Sequence, residues 1–243
     1  MPLDKVSDND KRHLLEEHLS TPAATICREK QYAQLAHMLQ NTSSATCQYS
    51  FAPIQLRPRY GPLPSGIFGM GHDGNFVTVI TVLNQPFSRG STHIKSSNPT
   101  DNPSIDSGYL SHPLDLELYA RHLLFVEKLM ASEPMVSLLK PGGRKIHNYD
   151  KAKPIADLET ARSVTKETII SNYHNCGSCP MMPEESGGVV DERLLVHGTR
   201  NLRIVDASLF PIIPRGNIQA TVYAVAEKAA DIIRQDVNSL VVK

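Results

Sequence analysis

Apolar residues along the chain recur with two spacings, one typical of helices and the other of strands. Residues 114–132 place Leu, Ala and Val three and four positions apart, which predicts an amphipathic helix. Residues 75–83 are rich in β-branched side chains and predict a buried strand. The same criteria predict further elements: helices at 8–19, 28–41 and 157–169, a strand at 47–56, and a segment at 91–97 that can pair with 75–83. Strand pairs and helices in this order favour an α+β fold, with helices packed on an antiparallel or mixed sheet.

Composition and charge indicate which kinds of partner the protein can bind. Of 243 residues, 40% are hydrophobic and 21% are charged, and 25 basic residues balance 25 acidic ones. A chain without net charge offers no electrostatic reason to bind nucleic acid or an anionic membrane. No apolar run approaches the roughly 20 residues that a membrane-spanning helix needs. We therefore expect neither nucleic acid nor a membrane as a partner.

The N-terminal residues and the cysteines bear on the compartment. The first 19 residues mix charges throughout and lack the apolar core of a signal peptide. Four cysteines are too few for a disulfide framework in a chain of this length. The sequence therefore predicts a reduced, cytoplasmic protein.

Two short motifs suggest a cofactor or a metal but stand in an unsuitable context. The G-x-G-x-x-G match at 69–74 follows a Pro-rich loop and precedes a β-branched run, whereas a dinucleotide motif lies between a strand and a helix. The C-x-x-C at 176–179 lacks a second such pair, because Cys27 and Cys47 are 20 residues apart. It also lacks the βαβ pattern of a redox dithiol. We interpret both motifs as loops and predict no metal site.

The segment from 172 to 233 carries more information. His174 lies in a turn-prone loop, and a short buried strand, LRIV, is predicted at 202–205, ending at Asp206. Asn217 is a suitable N-cap for a helix predicted from about 218 to 234, whose N-terminus presents free N–H groups and the positive end of its dipole. A capped helix packed on a strand explains this pattern equally well without any function.

Several linked motifs nevertheless occur together in a fixed order. These are H-x-x-G-S-x-x-M from residue 174, G-V-V-D at 188–191, N-L-R-I-V-D-A-S at 201–208, and G-N-I-Q-A-T-V-Y-A-V-A-E-K-A-A-D at 216–231, with P-F-S-R-G upstream at 86–90. The series resembles the C-terminal, substrate-binding half of the glucose–methanol–choline (GMC) oxidoreductases. The likeness covers about 47–236, which implies a helical segment at 1–46, a GMC substrate-binding domain with the family's C-terminal strand–helix element at 47–236, and a tail at 237–243.

The resemblance implies roles for particular residues. His174 corresponds to the family's general base on an alcohol, and Asn217 to the residue that holds the same substrate oxygen. A neutral imidazole can accept a hydroxyl proton and suits the first role, and an amide that fixes or polarises the oxygen suits the second. Three neighbours are expected to bind substrate: Asn175, Arg215 and Gly216. The residues expected to face a flavin, if another chain supplies FAD, are Asp206, Ala207, Asn217 and Ile218.

The family's N-terminal dinucleotide motif has no counterpart in this sequence, and three functions remain open. The first is catalysis without any cofactor on a small metabolite, such as isomerisation, dehydration or cyclisation in secondary metabolism. The second is the C-terminal half of an FAD-dependent alcohol oxidoreductase whose flavin half is a separate chain or is missing. The third is a non-catalytic interaction domain. The expected partners are a small-molecule substrate and either a second copy or a flavin-binding chain, because an uncovered apolar interface prefers to be buried.

Overall fold

The computed structural model describes residues 11–19, 23–41, 43–57, 64–68, 73–141 and 155–241. The helices of these ranges are α1 (Lys11–Leu19), α2 (Ile26–Gln40), α3 (Pro64–Ile67), α4 (Pro113–Met130), α5 (Met135–Leu138), α6 (Leu158–Thr168) and α7 (Gln219–Val241). The strands are β1 (Cys47–Ala52), β2 (Thr78–Leu83), β3 (Ser91–His93) and β4 (Ser104–Asp106). The α+β prediction is confirmed. No helix within the described ranges combines the length and the apolar character needed to cross a bilayer.

The chain forms two compact units, each assembled from separate stretches of sequence. The first unit comprises 1–18, 42–86 and 112–172, and the second comprises 19–41, 87–111 and 173–243. The division at residues 46 and 236 inferred from the family resemblance follows other boundaries and stays a prediction. Helix α7 continues to Val241, so the segment expected as a tail from 237 is helical over its described part.

The first unit is built on an antiparallel strand pair and two packed helices. β1 pairs with β2 from Cys47 opposite Leu83 to Ala52 opposite Thr78. Helix α4 contacts both β2 and α6. Its core with α6 is formed by apolar side chains, the buried members being Ala120, Ile155, Ala161 and Val164. Helix α4 begins where Pro113 follows His112, whose Nδ1 accepts a hydrogen bond from the Leu114 N–H at 3.3 Å.

A fully buried histidine joins α4 to β1 in this unit. His122 has no exposed surface. Its Nδ1 lies 2.6 Å from the Tyr49 hydroxyl, and its Nε2 lies 2.9 Å from Thr46 Oγ1. Burial lowers the pKa of His122 to about 3, because a charged imidazole would lose its hydration. His122 therefore acts as a neutral, hydrogen-bonded core residue.

A second polar group stabilises the packing of α4 on α6. The Glu117 carboxylate accepts a hydrogen bond from Arg121 at 3.1 Å and two from Arg162. Burial alone would raise the pKa of Glu117, but the hydrogen bonds and charges of the two arginines outweigh it and hold that pKa below its usual value. The carboxylate is 11% exposed and Arg121 is 7% exposed, and their pairing offsets part of the cost of burying the two charges.

Replacing Glu117 by Gln is expected to lower the free energy of unfolding by about 3 kcal/mol, because the buried Arg121 would lose its ion pair with the Glu117 carboxylate. Urea unfolding at neutral pH measures the change. The matched control is Glu167→Gln on α6, where the carboxylate is exposed and only a weak contact to Ser163 at 3.4 Å is lost. Equal stability of the two variants would show that the Glu117 pairing contributes nothing net.

The second unit contains a short hairpin, and here the predicted pairing is wrong. Residues 91–93 pair with β4 in antiparallel register, from Ser91 opposite Asp106 to His93 opposite Ser104, and not with 75–83. The edge of β2 is instead taken by β1. Polar turn contacts, including Asn98 with Asp101 at 3.0 Å, close the connection between β3 and β4. Gly90 permits the close approach at the base of the hairpin, since a Cβ there would lie 2.1 Å from the Asp106 carbonyl oxygen.

Other local predictions need smaller corrections. The strand expected at 202–205 is reduced to an isolated bridge between Leu195 and Arg203, and its residues are half-buried or exposed rather than buried. The β2 strand begins at Thr78 and is half-buried up to Leu83. The G-x-G-x-x-G match lies outside the described residues from 69 to 72; Asp73 and Gly74 precede β2 without a helix.

Candidate active site

The predicted site residues lie in three segments of the second unit: 174–181, 206–210 and 215–219. The first two segments are tied together by backbone hydrogen bonds. The N–H groups of Gly177, Cys179 and Met181 donate to the carbonyl oxygens of Ala207, Ser208 and Leu209, at 3.3, 2.9 and 2.8 Å respectively. The loop that carries His174 is therefore fixed to the turn that follows Asp206.

One apolar core lies beneath these segments. Its buried residues are Val190, Leu194, Leu209, Phe210 and Ala229, and the side chains packed against them include Cys176, Val222 and Val225. Phe210 comes from the Asp206 turn, Cys176 from the His174 loop, and Ala229 from α7. The three segments thus share a single hydrophobic support, which fixes the backbone next to His174 and next to Asn217.

The two predicted catalytic residues occupy similar backbone settings. Tyr173, directly before His174, has φ 58°, and Gly216, directly before Asn217, has φ 74°. Left-handed backbone is unfavourable for a tyrosine, and strain of this kind concentrates at functional sites. His174 is half-buried and Asn217 is exposed. Both side chains are therefore accessible on the same unit.

The predicted substrate-binding residues surround these two positions in the sequence and are open to solvent to different degrees. Asn175 and Arg215 are exposed, and Gly216 is half-buried. Helix α7 begins at Gln219, and its first helical hydrogen bond runs from the Val222 N–H to the Ile218 carbonyl at 2.9 Å. By this bond Ile218 occupies the capping position, so the prediction of Asn217 as the N-cap is off by one residue.

Asp206 has a structural role, because its carboxylate caps the turn that follows it. Its Oδ1 accepts a hydrogen bond from the Ser208 N–H at 2.8 Å and caps the 3₁₀ turn Ala207–Leu209. The side chain is exposed. This capped turn provides the carbonyl groups that bind the His174 loop, so Asp206 also orders the site indirectly.

A support for the His174 loop comes from α2, which sequence reasoning did not connect to the site. The Cys27 thiol donates to Met182 Sδ at 3.8 Å, and Lys30 Nζ donates to Ser186 Oγ at 2.5 Å. Gln31 Nε2 contacts Cys27 Sγ at 3.4 Å, and Gln31 Oε1 accepts from Arg89 Nε at 3.1 Å. Only the P-F-S-R-G motif that contains Arg89 gave any signal in the sequence.

The cysteines of the C-x-x-C motif are thiols of this loop. All four cysteines of the chain fall in the described ranges and are free of disulfides. Burial raises the pKa of Cys176, although the charge of Arg89 opposes the shift. Among the described residues, no three side chains of the metal-binding types come together.

FAD, which the family resemblance implies, fits the described residues only in part. Ile218 is buried and Ala207 is half-buried, beside the exposed carboxylate of Asp206 and amide of Asn217. The exposed carboxylate and amide can hydrogen-bond to polar groups of a flavin. The strands in the described ranges form two antiparallel pairs, without the parallel strand–turn–helix unit that holds a pyrophosphate. These residues therefore fit the ring side of the cofactor.

The comparison with protein families agrees with this geometry. The GMC oxidoreductase family matches residues 86–226, a range that includes the hairpin, the His174 loop and the first part of α7. The chain belongs to the GMC oxidoreductase family.

Individual relatives are similar over most of the chain. The dehydrogenase citC of Monascus ruber is 36% identical over 223 residues, which is 90% of this chain and 34% of that protein. The GMC oxidoreductase family protein Mala s 12 of Malassezia sympodialis is 35% identical over 161 residues, 65% of this chain and 24% of that protein. This chain thus spans about a third of the first relative's length and less of the second's.

Solved structures resemble the fold. A formate oxidase of Aspergillus oryzae superposes with a TM-score of 0.68 at 25% identity, over 93% of this chain and 37% of that one. An FAD-dependent oxidoreductase from Chaetomium thermophilum gives a TM-score of 0.73 at 24% identity, over 98% of this chain and 38% of that one, and shows the fold alone.

Proposed function

We propose that this chain forms the substrate side of a flavin-dependent oxidoreductase that oxidises a hydroxyl group of a small molecule. The observation that supports it best is the shared setting of His174 and Asn217. Each follows a left-handed residue, and their segments rest on one apolar core together with the Asp206 turn. The relatives named as dehydrogenases or oxidases support the same reaction class.

Each side chain has one task in this proposal. His174 accepts the proton of the substrate hydroxyl, and Asn217 donates an amide hydrogen bond to the same oxygen and orients it. Arg215, Asn175 and the backbone at Gly216 bind the rest of the substrate. Bound FAD supplies the acceptor for the hydride, which side chains cannot replace. Asp206, Ala207 and Ile218 would contact its ring side, and the product is the corresponding carbonyl compound.

The proposal is tested on the protein isolated under native conditions from its source. We expect the visible absorbance bands of a flavin in the purified material, and we expect primary or benzylic alcohols to bleach those bands in the absence of oxygen. Mass spectrometry of the denatured sample identifies the released cofactor. The measurement gives the same answer whichever chain holds the nucleotide.

The other two functions predict different results in the same experiment. A colourless protein that converts a metabolite would contradict the proposal and support catalysis without flavin. A flavin-containing protein that no alcohol or other hydroxyl compound bleaches would contradict the assigned reaction and favour an interaction domain. Bleaching by alcohols that survives in a His174→Gln protein would remove that residue from the mechanism.

A further inference from the structure

Gln31 is a polar residue on the buried face of helix α2. It is 6% exposed, and the other buried residues of this helix, Leu35 and Leu39, follow it at intervals of four. An apolar side chain would be the less costly choice at this position, because a buried amide has to be compensated by hydrogen bonds. The Gln31 Oε1 accepts a hydrogen bond from Arg89 Nε at 3.1 Å, and its Nε2 donates to Cys27 Sγ at 3.4 Å. The amide therefore joins the base of the hairpin to the start of α2.

Arg89 connects this amide to the first part of the His174 loop. Its N–H donates to Ser111 Oγ at 3.3 Å, and its carbonyl oxygen packs so tightly on Gly108 that a Cβ there would lie 2.3 Å away. The backbone of Arg89 is thus fixed at the hairpin. Burial raises the pKa of the Cys176 thiol, two residues after His174, and the charge of Arg89 opposes that rise. The guanidinium therefore acts electrostatically on the loop next to His174.

Cys27 connects the same amide to the end of the His174 loop. It lies four residues before Gln31 on α2, and its thiol donates to Met182 Sδ at 3.8 Å. The chain beyond Met182 also packs on this residue, since a Cβ at Gly187 would lie 3.1 Å from Cys27 Cβ. Gln31 is therefore linked to both ends of the loop that contains His174.

We propose that Gln31 is a positioning residue that holds the His174 loop in the place required for proton transfer. It acts through Arg89 and Cys27 and not on the substrate. The inference rests on the proposed function for the reaction, whereas the loop contacts do not depend on it. A misplacement of about 1 Å can lower a catalysed rate by roughly 10²-fold, so a loop that carries a general base has to be held firmly. Between its two ends the loop is held by backbone hydrogen bonds, whose donors we call the loop amides: Gly177, Cys179 and Met181.

The first measurement is hydrogen exchange of the full chain, which does not depend on any reaction. Gln31→Met has nearly the same length and removes both the acceptor and the donor of the amide. We expect the loop amides to exchange roughly tenfold or more faster in this variant, because the loop opens at a lower cost. The matched control is Gln34→Met, at an exposed position of the same helix, where exchange should not change. Amides in the middle of α4, in the first unit, report global unfolding.

Two further variants show whether the bond to Arg89 is responsible. Gln31→Glu keeps an oxygen that accepts from Arg89 Nε, and its loop amides should exchange as in the unmodified chain. Arg89→Lys keeps the charge but lacks the Nε–H donor, so it should reproduce the faster exchange of Gln31→Met. Arg89→Lys also decides the question if Gln31→Met does not fold.

The second measurement is the rate constant of flavin reduction by an alcohol without oxygen, in the flavin-containing protein. Because this constant is first-order, it does not depend on the amount of folded protein. Gln31→Met should lower it by roughly tenfold, with little change in the affinity for the alcohol. In a His174→Gln protein the same substitution should cause no further fall, because Gln31 acts through His174.

Three results would overturn the inference. These are the same exchange of the loop amides in Gln31→Met and Gln34→Met, an equal acceleration in α4, or a further fall of the rate constant when Gln31→Met is added to His174→Gln. A flavin-containing protein that oxidises no alcohol would refute the proposed function. The exchange of the loop amides alone would then decide whether Gln31 holds the loop.

Discussion

Replacing His174 by Gln is expected to lower kcat for alcohol oxidation by roughly 10²–10⁴-fold, the usual contribution of a general base. Glutamine can still hydrogen-bond to the substrate oxygen but cannot accept its proton. KM should therefore change far less than kcat, because the lost interaction belongs to the transition state. Steady-state rates of the flavin-containing protein, with the alcohol that bleaches it best, provide the measurement.

The matched control for this prediction is the same substitution at His93. That histidine lies in β3, is exposed, and belongs to none of the three site segments. His93→Gln should keep the unmodified rate. If His174→Gln also kept it, proton transfer would have to be assigned to another group, and the shared setting of His174 and Asn217 would lose its functional meaning. A fall in both variants would point to a general loss of folded protein.

The main elements of the fold could be predicted because their local signals agree with their packing. Helix α4 has apolar residues at helical spacing, and its buried Leu114 and Leu118 are four residues apart. The β-branched run that forms β2 pairs over its whole length with β1. Local periodicity decides such elements, because one face of each is buried by its neighbours.

Pairing partners could not be predicted in the same way. Residues 91–93 are all exposed, so no buried face specifies which strand they join. Their pairing is set by the turn chemistry between Ser96 and Asp101 and by the close approach at Gly90. The LRIV segment at 202–205 has strand-forming residues, but within the described residues it forms only the single bridge between Leu195 and Arg203.

The candidate site, too, could be predicted only in part from the sequence. The motif series alone pointed to His174 and Asn217, because a linked order of motifs is far more specific than any one of them. Backbone hydrogen bonds join Gly177 to Ala207 and Met181 to Leu209, residues about 30 positions apart. Because these bonds involve only backbone groups, the pattern of side chains does not indicate them. The contact from Cys27 to Met182 spans 155 positions, and no pattern in the sequence indicates it either.

Acidification is expected to destabilise the protein through His122 even before carboxylates are protonated. The pKa of His122 is about 3 in the folded chain because of burial, against about 6.5 in an unfolded chain. Between these values only the unfolded state takes up the proton. The stabilisation is therefore complete above about pH 6.5 and is lost as the pH falls toward about 3. The slope approaches 1.4 kcal/mol per pH unit, giving about 4–5 kcal/mol in total.

Urea unfolding at several pH values between about 7 and 4 measures this slope. His122→Gln provides the comparison, because its amide can still contact Tyr49 and Thr46 but does not titrate. Glu117, whose pKa is lowered, loses its stabilisation only at lower pH, so its contribution is common to both proteins and cancels in their difference. A difference in stability that does not change with pH would mean that His122 is protonated in the folded state. The bonds to Tyr49 and Thr46 would then have to hold an imidazolium, for which the described residues around the ring offer hydroxyl groups and no counter-charge within hydrogen-bonding distance.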